Sequence, residues 1–449
     1  MKLIYHISML TISILGFFMS EIMPAIEIGV FISFIYFYLI VKDLKLVRNG
    51  FILPSFFLTF FLMFETVWGV VPMKYNWFMI QTLNINRGAI DDDILNKCVY
   101  ISLIGISSMW ISFSFLYKNY FKKKSISVSN LCTTRKLRNF CPLLLIVLVL
   151  LLAYFISRGM FGYFGDSSAA NYTDKIYYFA LLIPSFYFLY SNERRYKLFY
   201  TIIIICIAIL GLLSGAKALM IIPITVVFFI RYIKTGTFIN RTAVYLAVAI
   251  IAAFIMIIPI RNAIFNDTSL SSTNATEIIA DATSGNSMTS YMIATTLSRM
   301  NYVTVLSNAL EYNGPLHQNV EHLWQYTLMS PLYAFIPRTI LPNKPTSTFA
   351  NWYAYNVCGS TADNNMSASY PGILYLAGGV PSVILGFLLV GVVLFFVVRI
   401  WLSDEYLYIY LSQFMRFAIL PAEPWILFVT LIQNMVLFYF FHRIISRRI

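Results

Sequence analysis

Six basic side chains are the residues of this chain best placed to do chemistry: Lys217, Arg261, Arg299, Arg338, Lys344 and Arg416. Lys217 and Arg416 lie inside apolar stretches, where an unpaired charge is costly and usually serves a function. Guanidinium groups match the oxygens of a phosphate in a two-pronged geometry. The set therefore predicts a site that grips a phosphate-bearing lipid head. The alternative is that Lys217 and Arg416 reach towards the membrane surface or pair with a buried acid such as Glu65 or Glu423.

Two of these cations lie in a turn that prolines make stiff. Residues 334–346 read Ala-Phe-Ile-Pro-Arg-Thr-Ile-Leu-Pro-Asn-Lys-Pro-Thr, so three prolines fix the backbone around Arg338 and Lys344. Cations held in place before the reaction can stabilise the charge that develops on a leaving pyrophosphate. Arg261 and Arg299 could contribute to the same site, although Arg261 also fits the ordinary end of a membrane helix.

Candidates for proton transfer are fewer, and the sequence does not choose among them. They are His317, His322, Asp363 and Glu423, with Glu321 as a further acid nearby. The two histidines lie five residues apart, and imidazole titrates close to neutral pH, as a general base requires. A surface or structural role is the alternative for each of these residues.

Several classes of enzyme are excluded because their motifs are missing. The sequence contains no G-x-x-x-x-G-K-[ST], no G-x-S-x-G and no H-E-x-x-H. Its five cysteines form no C-x-x-C pair and have no histidine at metal-ligand spacing. We therefore expect no nucleotide-driven pump, no metal and no cofactor, and we expect Cys358 to be a bystander in an external loop.

The elements that must position these residues are membrane helices. Hydrophobic residues make up 59% of the 449 and charged residues only 11%, with a mean hydropathy of +0.75, so lipid must cover much of the apolar surface. Apolar runs near the length of a bilayer crossing predict an all-α, polytopic membrane protein of about twelve spans. These are approximately 3–20, 25–41, 51–71, 98–117, 141–157, 177–191, 200–214, 218–233, 243–260, 379–398, 406–420 and 424–441.

Charge orients the spans. With both termini in the cytoplasm, most of the 32 basic residues fall in cytoplasmic loops, and the external side is net acidic. The opposite orientation would place that basic excess outside, so we reject it. Contact with anionic lipid accounts for the basic loops, and nothing in the sequence supports binding of nucleic acid.

One long loop, at residues 261–378, interrupts the even series of spans. It predicts three parts: a first bundle at 1–260, a large external loop at 261–378, and terminal helices with a basic tail at 379–449. Loops of this length are usually functional or disordered. We expect its later part to form a lid of helices against the bilayer surface. Its aromatic residues would be interfacial anchors or sugar-stacking surfaces; they are Trp324, Tyr326, Tyr333, Phe335, Trp352, Tyr353, Tyr355 and Tyr370.

The turn at residues 334–346 resembles that of the oligosaccharide repeat-unit polymerases, the O-antigen and enterobacterial common antigen polymerase group. The shared features are the Phe-Ile-Pro turn, the Pro-x-(Lys/Arg)-Pro step, a polar stretch and the glycine-rich entry Tyr-Leu-Ala-Gly-Gly to the next helix. Gly215-Ala-Lys217-Ala resembles the group's Gly-x-(Arg/Lys)-Ala element, and Arg416, Arg261 and Arg299 match further basic positions. Lys217 stands where arginine is common, which removes the two-pronged geometry.

This resemblance implies an integral-membrane glycosyltransferase resembling the type C fold, in the bacterial inner membrane. Its substrate would be an undecaprenyl-diphosphate-linked oligosaccharide at the periplasmic face, and a chain-length regulator protein is a candidate partner. The diphosphate leaving group would supply the energy, so the reaction would need neither nucleotide nor metal.

Two other classes of protein share this general plan. A flippase of lipid-linked oligosaccharide is the non-enzymatic alternative, but flippases usually have two similar halves and short loops. A ligase that transfers polymer to the lipid A core is the closest enzymatic alternative. The stiff turn that holds Arg338 and Lys344 favours the polymerase.

Overall fold

A computed structural model describes residues 3–22, 25–46, 53–75, 90–120, 302–336, 340, 349–359 and 369–401, together with scattered positions at 146, 149–150 and between 424 and 440. All secondary structure in these residues is helical. The helices are α1 (Leu3–Phe18), α2 (Ala25–Leu46), α3 (Leu53–Leu62), α4 (Val70–Lys74), α5 (Asp92–Tyr120), α6 (Val303–Glu311), α7 (Gln318–Glu321), α8 (Leu323–Phe335), α9 (Phe349–Trp352) and α10 (Tyr370–Trp401). Two π-helical turns, Met63–Val67 and Tyr353–Val357, follow α3 and α9.

The chain divides into two compact units, and nearly all of the described residues belong to the first. That unit comprises Met1–Lys123, Leu297–Ile400 and Arg416–Met435. The second comprises Lys124–Thr296, Trp401–Met415 and Val436–Ile449.

Helix α5 is the central element of this unit, and α1 and α10 pack on it in opposite directions. Ser20, just after α1, contacts Asp93 at the start of α5, whereas His6 near the start of α1 stacks on Trp110. Helix α1 is therefore antiparallel to α5. By the same reasoning α10 is parallel to α5, because Gly105 lies against Phe387 and Phe113 packs on Phe395.

Five predicted spans coincide with described helices. The predictions at 3–20, 25–41, 51–71, 98–117 and 379–398 match α1, α2, the α3–α4 segment, α5 and α10. Among the described helices, α5 and α10 are long and apolar enough to cross a membrane, and α1 is a shorter apolar helix. The remaining predicted spans fall wholly or largely outside the described residues.

Two of these helices begin earlier than their apolar stretches predict. Helix α5 starts at Asp92, because Asp92 and Asp93 in its first turn favour the positive end of the helix dipole. Helix α10 starts at Tyr370 and continues through a kink at Gly378 and Gly379. Gly379 has a φ of 64°, a left-handed conformation that glycine adopts without strain.

Small residues let the helices approach α5 closely. Gly16 of α1 lies against the ring of Tyr100, and Gly105 of α5 lies against the ring of Phe387. Gly391 of α10 lies directly on the carbonyl of Met109 and the hydroxyl of Ser112. Lipid tails are as apolar as a leucine side chain, so helices in a membrane associate through close packing of this kind.

A buried polar network joins four helices of the unit. Trp110 of α5 donates from Nε1 to Thr59 Oγ1 of α3 at 2.7 Å. The buried imidazole of His6 from α1 is hydrogen-bonded to the hydroxyl of Tyr36 from α2 and stacks on Trp110, with ring centroids 5.7 Å apart. Polar groups that hydrogen-bond across helices fix which faces meet.

The two ends of the unit carry opposite charge. At the end where α5 begins, which we call the Asp92 end, Lys74 pairs with Glu27 at 2.8 Å and Lys97 pairs with Asp93 at 2.6 Å. Further acidic residues lie at this end, at Glu21, Asp91 and Asp92. The opposite end carries the basic residues Lys42, Lys118 and Arg399. The residues predicted to be cytoplasmic and those predicted to be external thus lie at different ends.

Helices from the long loop pack onto the Asp92 end. The backbone N–H of Tyr302, which precedes α6, donates to the carbonyl of Glu65 at 3.1 Å. The thiol of Cys98 faces the carbonyl of Val303 at 3.9 Å. On the other side of α6, the hydroxyl of Tyr353 donates to the carbonyl of Val305 at 2.5 Å. Helix α6 is thus held between α5 and the later part of the loop.

Candidate functional site

Two of the ten predicted site residues lie in the part of the chain that the structure describes, namely His317 and His322. The other eight lie outside the described residues: Lys217, Arg261, Arg299, Arg338, Lys344, Asp363, Arg416 and Glu423. The cation cluster and the acidic candidates therefore stay predictions. What the structure supplies is the setting formed by the loop helices.

His317 caps a helix and packs in an aromatic cluster. Its Nδ1 accepts a hydrogen bond from the backbone N–H of Asn319 at 3.2 Å, which satisfies the start of α7. Its ring lies 5.4 Å from that of Trp352 and 5.8 Å from that of Phe349, centroid to centroid. Burial lowers the pKa of the imidazole, which favours the neutral form. Since Nδ1 accepts, the proton of the neutral ring is on Nε2, and the free lone pair is committed to the cap.

His322 differs, because its imidazole is exposed. It lies between α7 and α8, where its backbone N–H donates to the carbonyl of Gln318 at 3.0 Å and its carbonyl accepts from Tyr326 at 2.9 Å. The backbone is fixed while the side chain faces solvent. Of the two histidines, His322 is thus the one whose ring could approach an added molecule.

The aromatic residues of the loop differ in how far they are exposed. Tyr353 and Tyr370 are buried inside the protein, and Tyr370 packs edge-on against Phe387 of α10 at 5.0 Å. Trp324 and Tyr355 are exposed. The sequence predicted anchors or sugar-stacking surfaces for the whole set, and packing inside the loop layer is a third role that the pattern did not reveal.

The start of the last predicted span meets the loop at Trp425. This side chain is buried, with its ring 5.1 Å from Tyr326 and 5.4 Å from Phe349. The hydroxyl of Ser330 donates to the carbonyl of Trp425 at 3.4 Å. Sequence reasoning missed this contact. Its one signal was an aromatic residue at the predicted end of a span, where tryptophan is common.

Glu65 is an acid within the α3–α4 segment, which the sequence predicts to cross the membrane. The residue is only partly exposed, and it lies in the first π-helical turn beside the start of α6. Turns of this type are frequent at functional sites, and an ionisable group in a membrane span is a functional candidate. From the sequence, Glu65 is a possible partner for Lys217 or Arg416. Both of these residues lie outside the described part of the chain, so this pairing stays a prediction.

An open cleft of about 410 Å³ lies at the Asp92 end. Its walls come from the ends of α1 and α6 and from the first turns of α5 and α10. Its lining residues are Phe17, Phe18, Met19, Ser20, Glu21, Ile22, Ile94, Lys97, Leu310 and Tyr375. This volume is within the range of small-ligand sites. Lys97 is a cation of the lining, but its pairing with Asp93 at 2.6 Å offsets its charge. Glu21 adds a negative charge to the lining, so the described part of this cleft does not favour a diphosphate.

No curated protein and no solved structure gives a significant match to the chain. The family model described as "O-antigen polysaccharide polymerase Wzy" matches residues 3–446, nearly the whole chain. The resemblance noted at the proline-rich turn is confirmed, and the chain belongs to the O-antigen polysaccharide polymerase Wzy family.

Proposed function

We propose that this protein polymerises undecaprenyl-diphosphate-linked oligosaccharide repeat units at the periplasmic face of the bacterial inner membrane. The observation that carries this proposal is the family match, because it spans residues 3–446 and so includes the loop and every predicted cation. Membership of this family implies repeat-unit polymerisation. The lipid carrier, the face of the membrane and the mechanism are our additions.

The reaction follows from the chemistry of the lipid diphosphate. A hydroxyl of the incoming lipid-linked repeat attacks the anomeric carbon of the growing glycan, and the bond from that carbon to the lipid diphosphate breaks. Lys217, Arg261, Arg299, Arg338, Lys344 and Arg416 would stabilise the negative charge that the leaving diphosphate gains. The leaving group supplies the driving force, and a nucleotide has no role in these steps.

The charge distribution of the described residues supports the periplasmic location. Acidic residues gather at the Asp92 end, where the loop helices pack, and Lys42, Lys118 and Arg399 lie at the other end. Basic residues concentrate on the cytoplasmic side of membrane proteins. On that rule the loop layer faces the periplasm, and both termini face the cytoplasm.

For the proton acceptor, His322 is a better candidate than His317. The imidazole of His322 is exposed, whereas the ring of His317 is half-buried and caps α7 through Nδ1. Asp363 and Glu423 remain candidates from the sequence. The substitution His322→Gln should therefore slow chain extension more than His317→Asn, which retains a hydrogen-bond acceptor for the cap.

A deletion strain distinguishes the polymerase from its alternatives. Surface polysaccharide from cells that lack the protein is separated on a gel. We expect a single repeat unit on a capped core, because ligation continues without extension. Full-length polymer that is not attached to the core would indicate a ligase, and no repeats at the surface would indicate a flippase.

The role of the cations is tested by Arg338→Ala and Arg416→Ala. Each change should abolish chain extension while the protein still inserts into the membrane at normal levels, because a preorganised charge at the leaving group is lost. Arg399→Ala is the matched control, since Arg399 lies at the opposite end from the loop layer. Long polymer made by either of the first two variants would refute the cation cluster.

A further inference from the structure

Helix α8 carries polar side chains on its buried face and apolar side chains on its exposed face, the reverse of a helix at a water-facing surface. Its buried face carries the hydroxyl side chains of Thr327 and Ser330 beside Leu323. Its exposed residues include four large apolar side chains: Trp324, Leu328, Met329 and Leu332. At about 100° of rotation per residue, Trp324, Leu328 and Leu332 form one stripe along the helix.

The exposure of this stripe is large. Leu328 is 66% exposed and Leu332 is 60% exposed. Gln325, in the first turn, is the polar member of the same face. Leaving a leucine side chain in water is unfavourable relative to burying it, so a stripe of this kind indicates a non-aqueous surrounding.

The neighbouring elements of the same loop show ordinary polarity. From α6 to the end of α7, the exposed residues include Glu311, Asn313, Gln318 and Glu321, and the buried residues include Val303, Leu306 and Val320. That pattern suits contact with water. Helix α8, in contrast, contains no charged residue in its 13 positions.

We propose that α8 lies in the boundary between the headgroups and the hydrocarbon of the bilayer, with Trp324, Leu328, Met329 and Leu332 in contact with lipid. Interfacial helices lie in the plane of the membrane with an apolar face buried about 5–10 Å deep. The exposed residues of α1 and α2, among them Ile7, Leu15 and Phe31, have the same apolar character, which suits the same solvent. Tryptophan is enriched at this depth.

The hydrogen bonds of the opposite face fit this placement. The hydroxyl of Ser330 donates to the carbonyl of Thr327 at 3.1 Å and to that of Trp425 at 3.4 Å. The Ser330 hydroxyl is thus directed towards protein, where carbonyl acceptors exist, and not towards the hydrocarbon, which offers none. Both faces of α8 are explained by lipid on one side and protein on the other.

This placement of α8 would also serve the proposed function. Only this consequence, and not the placement itself, rests on the proposed function. In the sequence, α8 leads directly into the turn that contains Arg338 and Lys344. A helix held at headgroup depth would begin that turn at the level of a lipid-linked diphosphate.

The depth of α8 can be measured with a nitroxide spin label. Leu328→Cys and Leu332→Cys are introduced singly into a protein whose five native cysteines are alanine and which still inserts into the membrane at normal levels, and each is labelled in liposomes of phosphatidylethanolamine and phosphatidylglycerol. Glu321→Cys on α7 is the matched control, since Glu321 is exposed and charged. Collisions with oxygen, which concentrates in hydrocarbon, are compared with collisions with a water-soluble nickel chelate.

We expect labels at 328 and 332 to collide more with oxygen than with the nickel chelate, and the label at 321 to show the reverse. Equal access of the nickel chelate at 321, 328 and 332 would overturn the proposal, because α8 would then lie in water. Exclusion of both reagents at 328 and 332 would also overturn it, because a protein surface and not lipid would cover the stripe. None of these results depends on the polymerase assay, so this proposal and the proposed function can fail separately.

Discussion

Helices α5 and α10 are both long and apolar enough to cross a membrane, yet they differ in how much of their surface is buried inside the protein. In the most apolar part of α5, 78% of the residues are buried, against 56% for α10. Helix α5 buries Ser102, Ser107 and Ser108, whereas α10 exposes Leu385 and Phe396. The less apolar helix is thus the more buried one. In a membrane, a helix surrounded by protein can carry small and polar residues, while a helix that borders lipid requires large apolar ones.

The same contrast recurs within the loop layer. Helix α6 has protein on both sides, as α5 does, and its buried set includes Ser307 and Asn308. Helix α8 turns hydroxyl groups to protein and leucines outward, as a lipid-bordering helix would. The main distinction between the helices of this molecule is therefore whether a face contacts protein or lipid. Substitutions on the two kinds of face should have different effects.

The largest effect is expected at the contact between α5 and α10. Gly391→Ala would place a methyl group directly on the backbone carbonyl of Met109 and the hydroxyl of Ser112, so the helices must separate. Overpacking of this kind typically costs about 1–3 kcal/mol. The thermal unfolding midpoint of the purified protein in detergent should fall clearly. An unchanged midpoint would mean that α10 does not pack on α5 as described.

A smaller effect is expected inside the polar network. Trp110→Phe removes the Nε1–H that donates to Thr59 at 2.7 Å, while the ring still packs near His6. Hydrogen bonds between membrane helices average about 0.6 kcal/mol in double-mutant cycles. A cycle with Thr59→Val should therefore give a coupling energy of this order in reversible unfolding. A coupling indistinguishable from zero would remove the bond as a determinant of helix pairing.

The smallest effect is expected on the lipid side of α10. Leu385 is 58% exposed, so Leu385→Ala leaves no cavity in the protein interior. Substitutions away from packed features usually change stability by no more than about 0.5 kcal/mol. The same unfolding measurement serves, with Gly391→Ala as its counterpart on the protein side of the helix. A loss as large as that of Gly391→Ala would abolish the distinction between the two faces.

The sequence predicted where five helical segments lie, because apolar composition over a bilayer length is a local property. The predicted ends were less accurate. Helix α5 begins at Asp92 because two acids favour its first turn, and α10 begins at Tyr370 because the helix continues through a kink at glycine. The three-part division of the chain and the total of twelve spans stay predictions.

Contacts between distant parts of the chain were beyond the sequence. The packing of Trp425 on Phe349 and the hydrogen bond from Tyr302 to Glu65 join residues far apart in the chain. The capping role of His317 depends on the orientation of one side chain. Periodicity and composition carry no information about such pairs. The cation cluster was proposed from residue type and sequence context, and its members lie outside the described residues.

The central claim is that the loop layer at the Asp92 end faces the periplasm. The most direct measurement is labelling of single cysteines in intact cells by a thiol reagent that cannot cross the inner membrane. Asn313→Cys reports the loop layer and Lys118→Cys the opposite end of α5, and both residues are exposed. We predict that Asn313→Cys is labelled in intact cells and Lys118→Cys only after the membrane is broken. The reverse pattern would place the loop in the cytoplasm and contradict polymerisation at the periplasmic face.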